Sequence, residues 1–234
     1  MLLPTLWFAC TQEPAPGETG EVDSDAPEVT VPRVERVVIA VLDGARYAET
    51  FGLEPTSASE VAGRDLFGEF AEAMLPTGTL VTTAVATGYT LTAPGHADIV
   101  TGTRNQFGLM AAAAGPAYYR PEYPTLFEAV EAARPGTSTH LVANTMHVDA
   151  LFASVYPGST AASGATLTTT NTDTDNSDAT VTSAIRAILE AGDTPLIVAN
   201  LHDIDRSGHS TTNRGAYAHG LEAAAPELAA TWSW

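Results

Sequence analysis

Val34 to Leu42 reads VERVVIAVL, and Asp43-Gly44 comes directly after it. The run is continuous, apolar and β-branched, with no alternation of polar residues. That is the pattern of a strand covered on both faces, as in a parallel sheet. Pro195 to Leu201 (PLIVANL) has the same character. Thr79–Ala86 and Thr139–Ala143 are two further strand candidates. Helical stretches separate them. Ser57–Leu75 opens on Ser and spaces Val61, Leu66, Phe67, Phe70 and Met74 at helical intervals. Pro94–Thr101 is a short helix, with Pro suited to its first turn and Gly102 to its end. Tyr123-Pro124 opens the helix Thr125–Ala133, closed by Arg134-Pro135-Gly136. Ala179–Ala191 is helical, and Gly215–Trp234 is helical with Pro226 as a break. Gly158–Asp178, rich in Ser, Thr, Gly, Ala and Asn, reads as a long loop or insert. Strands alternating with helices predict an α/β domain with a mainly parallel sheet flanked by helices.

The 234 residues give room for one large domain or two small ones, and a 44% hydrophobic content supplies a sizeable core. Acidic residues number 28 against ten cations, all Arg, for a net charge of −18. A field of that sign repels phosphate backbones and argues against a nucleic-acid-binding module. No internal apolar run approaches the ~20 residues of a membrane span. A single cysteine, Cys10, excludes an intramolecular disulfide framework and a multi-cysteine zinc finger. Residues 1–10 (MLLPTLWFAC) are apolar and end in a small residue followed by Cys10. Residues 11–32 are rich in Pro, Gly, Thr and carboxylates, the composition of a flexible acidic tether. The arrangement resembles a bacterial lipoprotein signal. The resemblance implies a lipid anchor at Cys10 as the chain's one membrane contact, and a place in the bacterial cell envelope. The alternative is a frayed terminus carrying a chance cysteine. Residues 33–234 then form the folded domain.

In open α/β sheets, ligands bind beyond the carboxyl ends of the strands. Two acidic motifs stand there. Asp43-Gly44-Ala45-Arg46 follows the first strand, and His202-Asp203-Ile204-Asp205-Arg206-Ser207-Gly208-His209 follows the last. A carboxylate in such a place serves as a metal ligand, or as the turn-capping Asp common before Gly. Asp205 and His209, four apart, offer carboxylate and imidazole to Zn²⁺ or another transition ion; otherwise His209 is solvated. His202 and Asp203 are weaker candidates. Strand alternation would put Asp203 and Asp205 on one face and His202 on the other. Between the two motifs, Thr90–His96 leads into a helix. Thr92 is an N-cap or, beside a metal, a nucleophile. His96 supports the site or packs.

Together, DGAR, TAPGHADIVTG and DRSGH, in that order, resemble the alkaline phosphatase superfamily, in particular its nucleotide pyrophosphatase/phosphodiesterase-type branch. The resemblance runs from about Val34 to the C-terminus. It implies a doubly wound α/β fold and a hydrolase of phosphorylated small molecules, phosphodiesters or phosphomonoesters. It also implies two divalent metal ions, zinc first among them. Asp43 and Thr92 would belong to one metal, Asp205 and His209 to the other, and Thr92 would be transiently phosphorylated. Arg46 and Asn105 are candidate substrate contacts. A sulfatase-like ester hydrolase fits less well, because Ala93-Pro94-Gly95-His96 replaces its Cys/Ser-x-Pro-Ser-Arg context. The family's remaining ligands, an Asp-His-Gly after a further strand and a later His, have no counterpart before Trp234. The expectation is therefore a C-terminally truncated chain with weak metal binding and low turnover. The alternative is a non-catalytic surface lipoprotein of the same fold.

Overall fold

The computed structural model describes residues 34–54, 62–82, 84–86, 90–104, 121, 123–145, 148, 165–169, 177–209 and 214–233. Cys10, the signal segment 1–10, the tether 11–32 and Asn105 lie outside the described residues. The strands are β1 (Val37–Leu42), β2 (Thr139–Ala143), β3 (Thr166–Thr169) and β4 (Leu196–Leu201). They form one four-stranded sheet in the order β1-β4-β2-β3, parallel throughout. The helices are α1 (Tyr47–Thr50), α2 (Gly63–Met74), α3 (Thr92–Thr101), α4 (Leu126–Ala133), α5 (Asp178–Ala191), α6 (Asp203–Gly208) and α7 (Arg214–Trp232). The expected α/β domain with a parallel sheet flanked by helices is observed.

Every residue of β4 is buried, because helices cover both faces of the sheet. Leu141, Ala143, Leu196 and Val198 meet Ala97 and Val100 of α3 and Phe127 of α4. Ala40, Val142, Ile197, Ala199 and Leu201 meet Val181 and Ile185 of α5. Each large apolar side chain among them contributes on the order of 1.5–3 kcal/mol when fully buried. A further cluster joins Leu42 to Phe51, Phe67, Phe70, Ile204, Leu221 and Leu228, uniting the end of β1 with α2, α6 and α7. Phe70 meets the Trp232 ring edge-on at 6.0 Å. α4 starts in a capping box: Thr125 N–H donates to Glu128 Oε2 at 2.8 Å, and Glu128 N–H donates to Thr125 Oγ1 at 3.5 Å. Gly102, at φ 65°, ends α3 in the left-handed conformation. No helix among the described residues is long and apolar enough to cross a membrane.

Four expectations need correction. Thr79–Ala86 shows no strand among its described residues. Val81 and Val85 are exposed, and Leu80 is anchored against the α2–α7 cluster, so the described residues would gain little from lying beside the sheet. The reading of Gly158–Asp178 as loop misses β3, whose Thr-rich TLTT pairs with His140–Ala143; β-branched Thr favours the extended chain despite its polarity. α3 begins at Thr92 rather than Pro94, so Thr92 is the first helical residue and Leu91 takes the cap position. α7 runs unbroken through Pro226. Leu221, Ala224, Ala225 and Leu228, on both sides of the proline, are buried in one cluster, and that burial outweighs the roughly 3 kcal/mol cost of an interior proline. The helix expected over Ser57–Leu75 is observed as Gly63–Met74, with residues 55–61 outside the described set.

Pro226 is exposed, so its replacement opens no cavity. Pro226→Ala should restore one helical hydrogen bond and raise stability by about 1–3 kcal/mol, read from the urea midpoint. A lowered midpoint would show that the ring itself shapes α7.

Candidate metal centre

β1 and β4 run in register, Leu42 opposite Leu201, and Asp43 N–H extends the ladder by donating to Leu201 O at 2.9 Å. Asp43 and His202 therefore leave the sheet side by side. The chain turns at Gly44 with φ 74°, where a Cβ would come within 2.6 Å of the Asp205 Cα. Only glycine permits that turn and that approach together. Past Leu201 the chain stops being a strand and winds into α6, with His202 as its cap residue. Residues three apart along a helix share a face, so His202 and Asp205 both turn toward Asp43. Donor atoms of Asp43, His202 and Asp205 lie within 4.8 Å of one another.

His202 Nδ1 lies 3.1 Å from Asp43 Oδ2 and Nε2 lies 3.6 Å from Asp205 Oδ2. An ionised carboxylate only accepts, so Nδ1 carries the proton toward Asp43 and Nε2 is the ring atom that could coordinate an ion. Asn200, fully buried in β4, donates through Nδ2 to Asp43 Oδ2 at 3.1 Å and meets His96 Nε2 at 3.0 Å. His96 Nδ1 meets the Thr92 carbonyl at 2.7 Å. A carbonyl accepts, so Nδ1 bears hydrogen and Nε2 takes the Asn200 proton, which is the neutral ring. Burial lowers the His96 pKa more than the Asp43 charge and the Thr92 carbonyl raise it, in accord with that tautomer. Burial by itself would raise the Asp43 pKa. The hydrogen bond from His202, the pull of the adjacent imidazoles and the Asn200 amide outweigh it and hold the acid at about 2. Asp43 is thus an ionised, rigidly held candidate ligand. Two carboxylates and an imidazole suit a divalent transition ion, and three protein ligands leave coordination positions for water or substrate.

Of the residues singled out in the sequence, Asp43 and Asp205 come together. His209 stands on the outer side of Asp205, Nε2 to Oδ2 3.4 Å, with its side chain 80% exposed, and is not part of the triad. The Thr92 backbone is tied to Asp43 through His96 and Asn200. Arg46 lies against the Tyr217 ring at 4.6 Å and pairs with Glu49 at 3.4 Å. The lower standing of His202 is corrected: it follows from strand alternation, and the segment is helical. Asp203 turns the other way, accepting from Asp178 N–H at 2.9 Å and pairing with Arg206. Sequence reasoning misses Asn200 and Asp178. A lone Asn inside an apolar strand is the one signal that points to the first.

Asp178 is buried beside this corner. Burial raises its pKa to about 6, against hydrogen bonds from Asn144 and His202 N–H and the charges of Arg206 and His202. The native state therefore holds this proton more tightly than the unfolded chain. Stability from Asp178 is present below pH about 4 and is lost as pH rises through about 6, by roughly 3 kcal/mol at about 1.4 per unit. Asp43 has the opposite sign, and its contribution is lost as pH falls toward 2. Urea unfolding of the chelator-treated protein should thus weaken between pH 4 and 6. Asp178→Asn should flatten that slope, and an unchanged slope would assign it to another group.

Compared with family models, with curated proteins and with solved structures, the chain finds no match, so the functional reading rests on the triad and its neighbours.

Proposed function

We propose that the chain is a metal-dependent phosphoester hydrolase on a doubly wound, alkaline-phosphatase-like domain, with Thr92 as nucleophile and phosphorylated small molecules as substrates. The observation that carries this reading is the Asp43–His202–Asp205 triad at the ends of adjacent parallel strands, to which the Thr92 turn is joined through His96 and Asn200. Asp43, His202 and Asp205 would hold one divalent ion. The Asp205–His209 contact supports a second ion on the outer side, with zinc the first candidate for both. Such ions supply Lewis acidity and neutralise phosphoryl charge.

The chain's own residues have separable tasks. The Thr92 hydroxyl gives up its proton to solvent as its oxygen bonds to phosphorus, the bond from phosphorus to the substrate's alcohol oxygen breaks, and the departing alcohol takes a proton from solvent. Water then cleaves the phosphothreonine ester and restores Thr92. Leu91 at the cap of α3 offers no side-chain acceptor, which leaves the first-turn amides of Thr92 and Ala93 for a phosphoryl oxygen. Pro94 contributes no amide. His96 stays neutral and holds that first turn in place. With a net charge of −18, attraction for an anionic substrate must arise locally, from bound cations and these amides.

The test is to load the chelated chain with Zn²⁺ and follow hydrolysis of bis(p-nitrophenyl) phosphate and p-nitrophenyl phosphate. Thr92→Ala should keep fold and metal uptake and lose at least about 10³-fold in turnover. Acid quenching should trap phosphate on Thr92 of the wild type. Metal uptake without turnover would leave a non-catalytic binding protein, and turnover surviving in Thr92→Ala would remove the nucleophile from the reading.

The small residue before Cys10 and the acidic tether after it support a lipid anchor in the bacterial envelope. Fatty-acid labelling should mark the wild type and spare Cys10→Ser, and equal labelling would defeat the anchor.

A further inference from the structure

We infer that Asp178 is a positioning residue for the candidate metal centre: its buried Oδ1 fixes the backbone of His202 and Asp203, and so the direction in which His202 and Asp205 face Asp43. The inference rests on the metal reading above for its consequence, and on hydrogen bonds alone for its geometry. Asp178 Oδ1 accepts from His202 N–H at 2.7 Å, Asp203 N–H at 3.2 Å and Asn144 Nδ2 at 3.0 Å. In return Asp178 N–H donates to Asp203 Oδ2 at 2.9 Å. The starts of α5 and α6 thus cap each other, each through the first acid of its own helix.

The two helices are unequal partners. α5 has 14 residues and packs Val181 and Ile185 against the sheet, so its first residue is fixed independently of the site. α6 has six. A helix that short has little stability of its own, and it carries Asp205 directly and His202 at its cap. The corner holds its shape by being tied to α5. Packing alone does not account for the residue type. Asp178 is 1% exposed, and its Oδ2 has no hydrogen-bond partner among the described residues. A carboxylate buried in that way is costly unless its acceptor strength is used. The two backbone amides at the His202 corner use it. A ligand imidazole must be held within about 0.5 Å of its working place, and a loosened 202–203 backbone would not hold it.

The test uses the full chain. Co²⁺ uptake is followed by its visible absorption and by calorimetry, and amide hydrogen exchange is measured on metal-free protein. Asp178→Ala should weaken Co²⁺ binding by about 10–100-fold, the usual cost of losing a group that orients a ligand. It should also speed exchange at the His202 and Asp203 amides while leaving β2 amides unchanged. Asp178→Asn keeps an Oδ1 acceptor and should stay within about threefold of wild type in both measurements. If the alanine variant does not fold, Asp178→Ser replaces it, since serine suits a helix start and is too short to reach His202. An alanine or serine variant with wild-type affinity and wild-type exchange overturns the role, as does an asparagine variant that loses as much as alanine. A wild type that takes up no Co²⁺ removes the metal reading. The exchange rates at His202 and Asp203 still decide the positioning, unchanged protection in the variant overturning it.

Discussion

The close approach of Gly44 to Asp205 is the constraint on which the site depends. β1 and β4 lie in register as neighbours, so their carboxyl ends deliver Asp43 and His202 side by side. The chain beyond His202 must then fold back within a Cβ radius of the β1 turn, or Asp205 does not reach the other two. Residue 44 satisfies this in two ways at once: its φ of 74° redirects the chain, and its missing side chain leaves room for the Asp205 backbone. Tyr217 of α7 reinforces the turn by donating its hydroxyl hydrogen to Gly44 O at 3.2 Å. Ile204, fully buried among α2 and α7 side chains, pins α6 from the opposite side. The apolar cluster beside β1 is therefore part of the site's architecture as well as of its stability.

Polar burial obeys the same logic. β4 is the most enclosed strand, and a wholly apolar sequence would suit it best. Asn200 breaks that pattern at the position where Asp43 and His96 both need a donor. Its Nδ2 serves both, and its Oδ1 finds no partner among the described residues. An orphaned buried carbonyl oxygen costs on the order of 1–3 kcal/mol. That cost is sustained because the amide links two motifs far apart in sequence. His96, neutral and sandwiched between the Asn200 amide and the Thr92 carbonyl, passes the link to the first turn of α3.

Legibility from sequence varies with the range of the interaction. VVIAVL and LIVANL announce buried parallel strands because both faces are apolar, and the ends of β2, α4 and α5 are legible to within a residue or two. β3 is hidden because four residues of Thr and Leu inside a polar stretch become a strand only by pairing with β2. Pro226 misleads because the burial that overrides it comes from α2 and α6, distant in the chain or separate from its own helix. At the site, Asp43 and Asp205 are legible from their places after strands. His202 is misjudged when a period of two is carried past Leu201, where the backbone has already changed to a period of 3.6. Asp178 has no local signature at all: the amides it binds lie 24 and 25 residues away in the chain.

Asp43 and Asp205 place two negative charges close together in a chain already rich in them. Left bare, such a pair would repel, and one acid would take up a proton. Here the His202 ring stands between them, Nδ1 toward one carboxylate and Nε2 toward the other, while Asn200 adds a donor to Asp43. The imidazole that would ligate an ion is thus itself oriented by its Nδ1–H bond to Asp43. Preorganisation of this kind lowers the ordering cost of binding. The His202–Asp205 approach, at 3.6 Å, is longer than a hydrogen bond and lies on the more open side of the site. The Asp43 side chain is 6% exposed and that of Asp205 15%, so an ion would enter past the outer carboxylate.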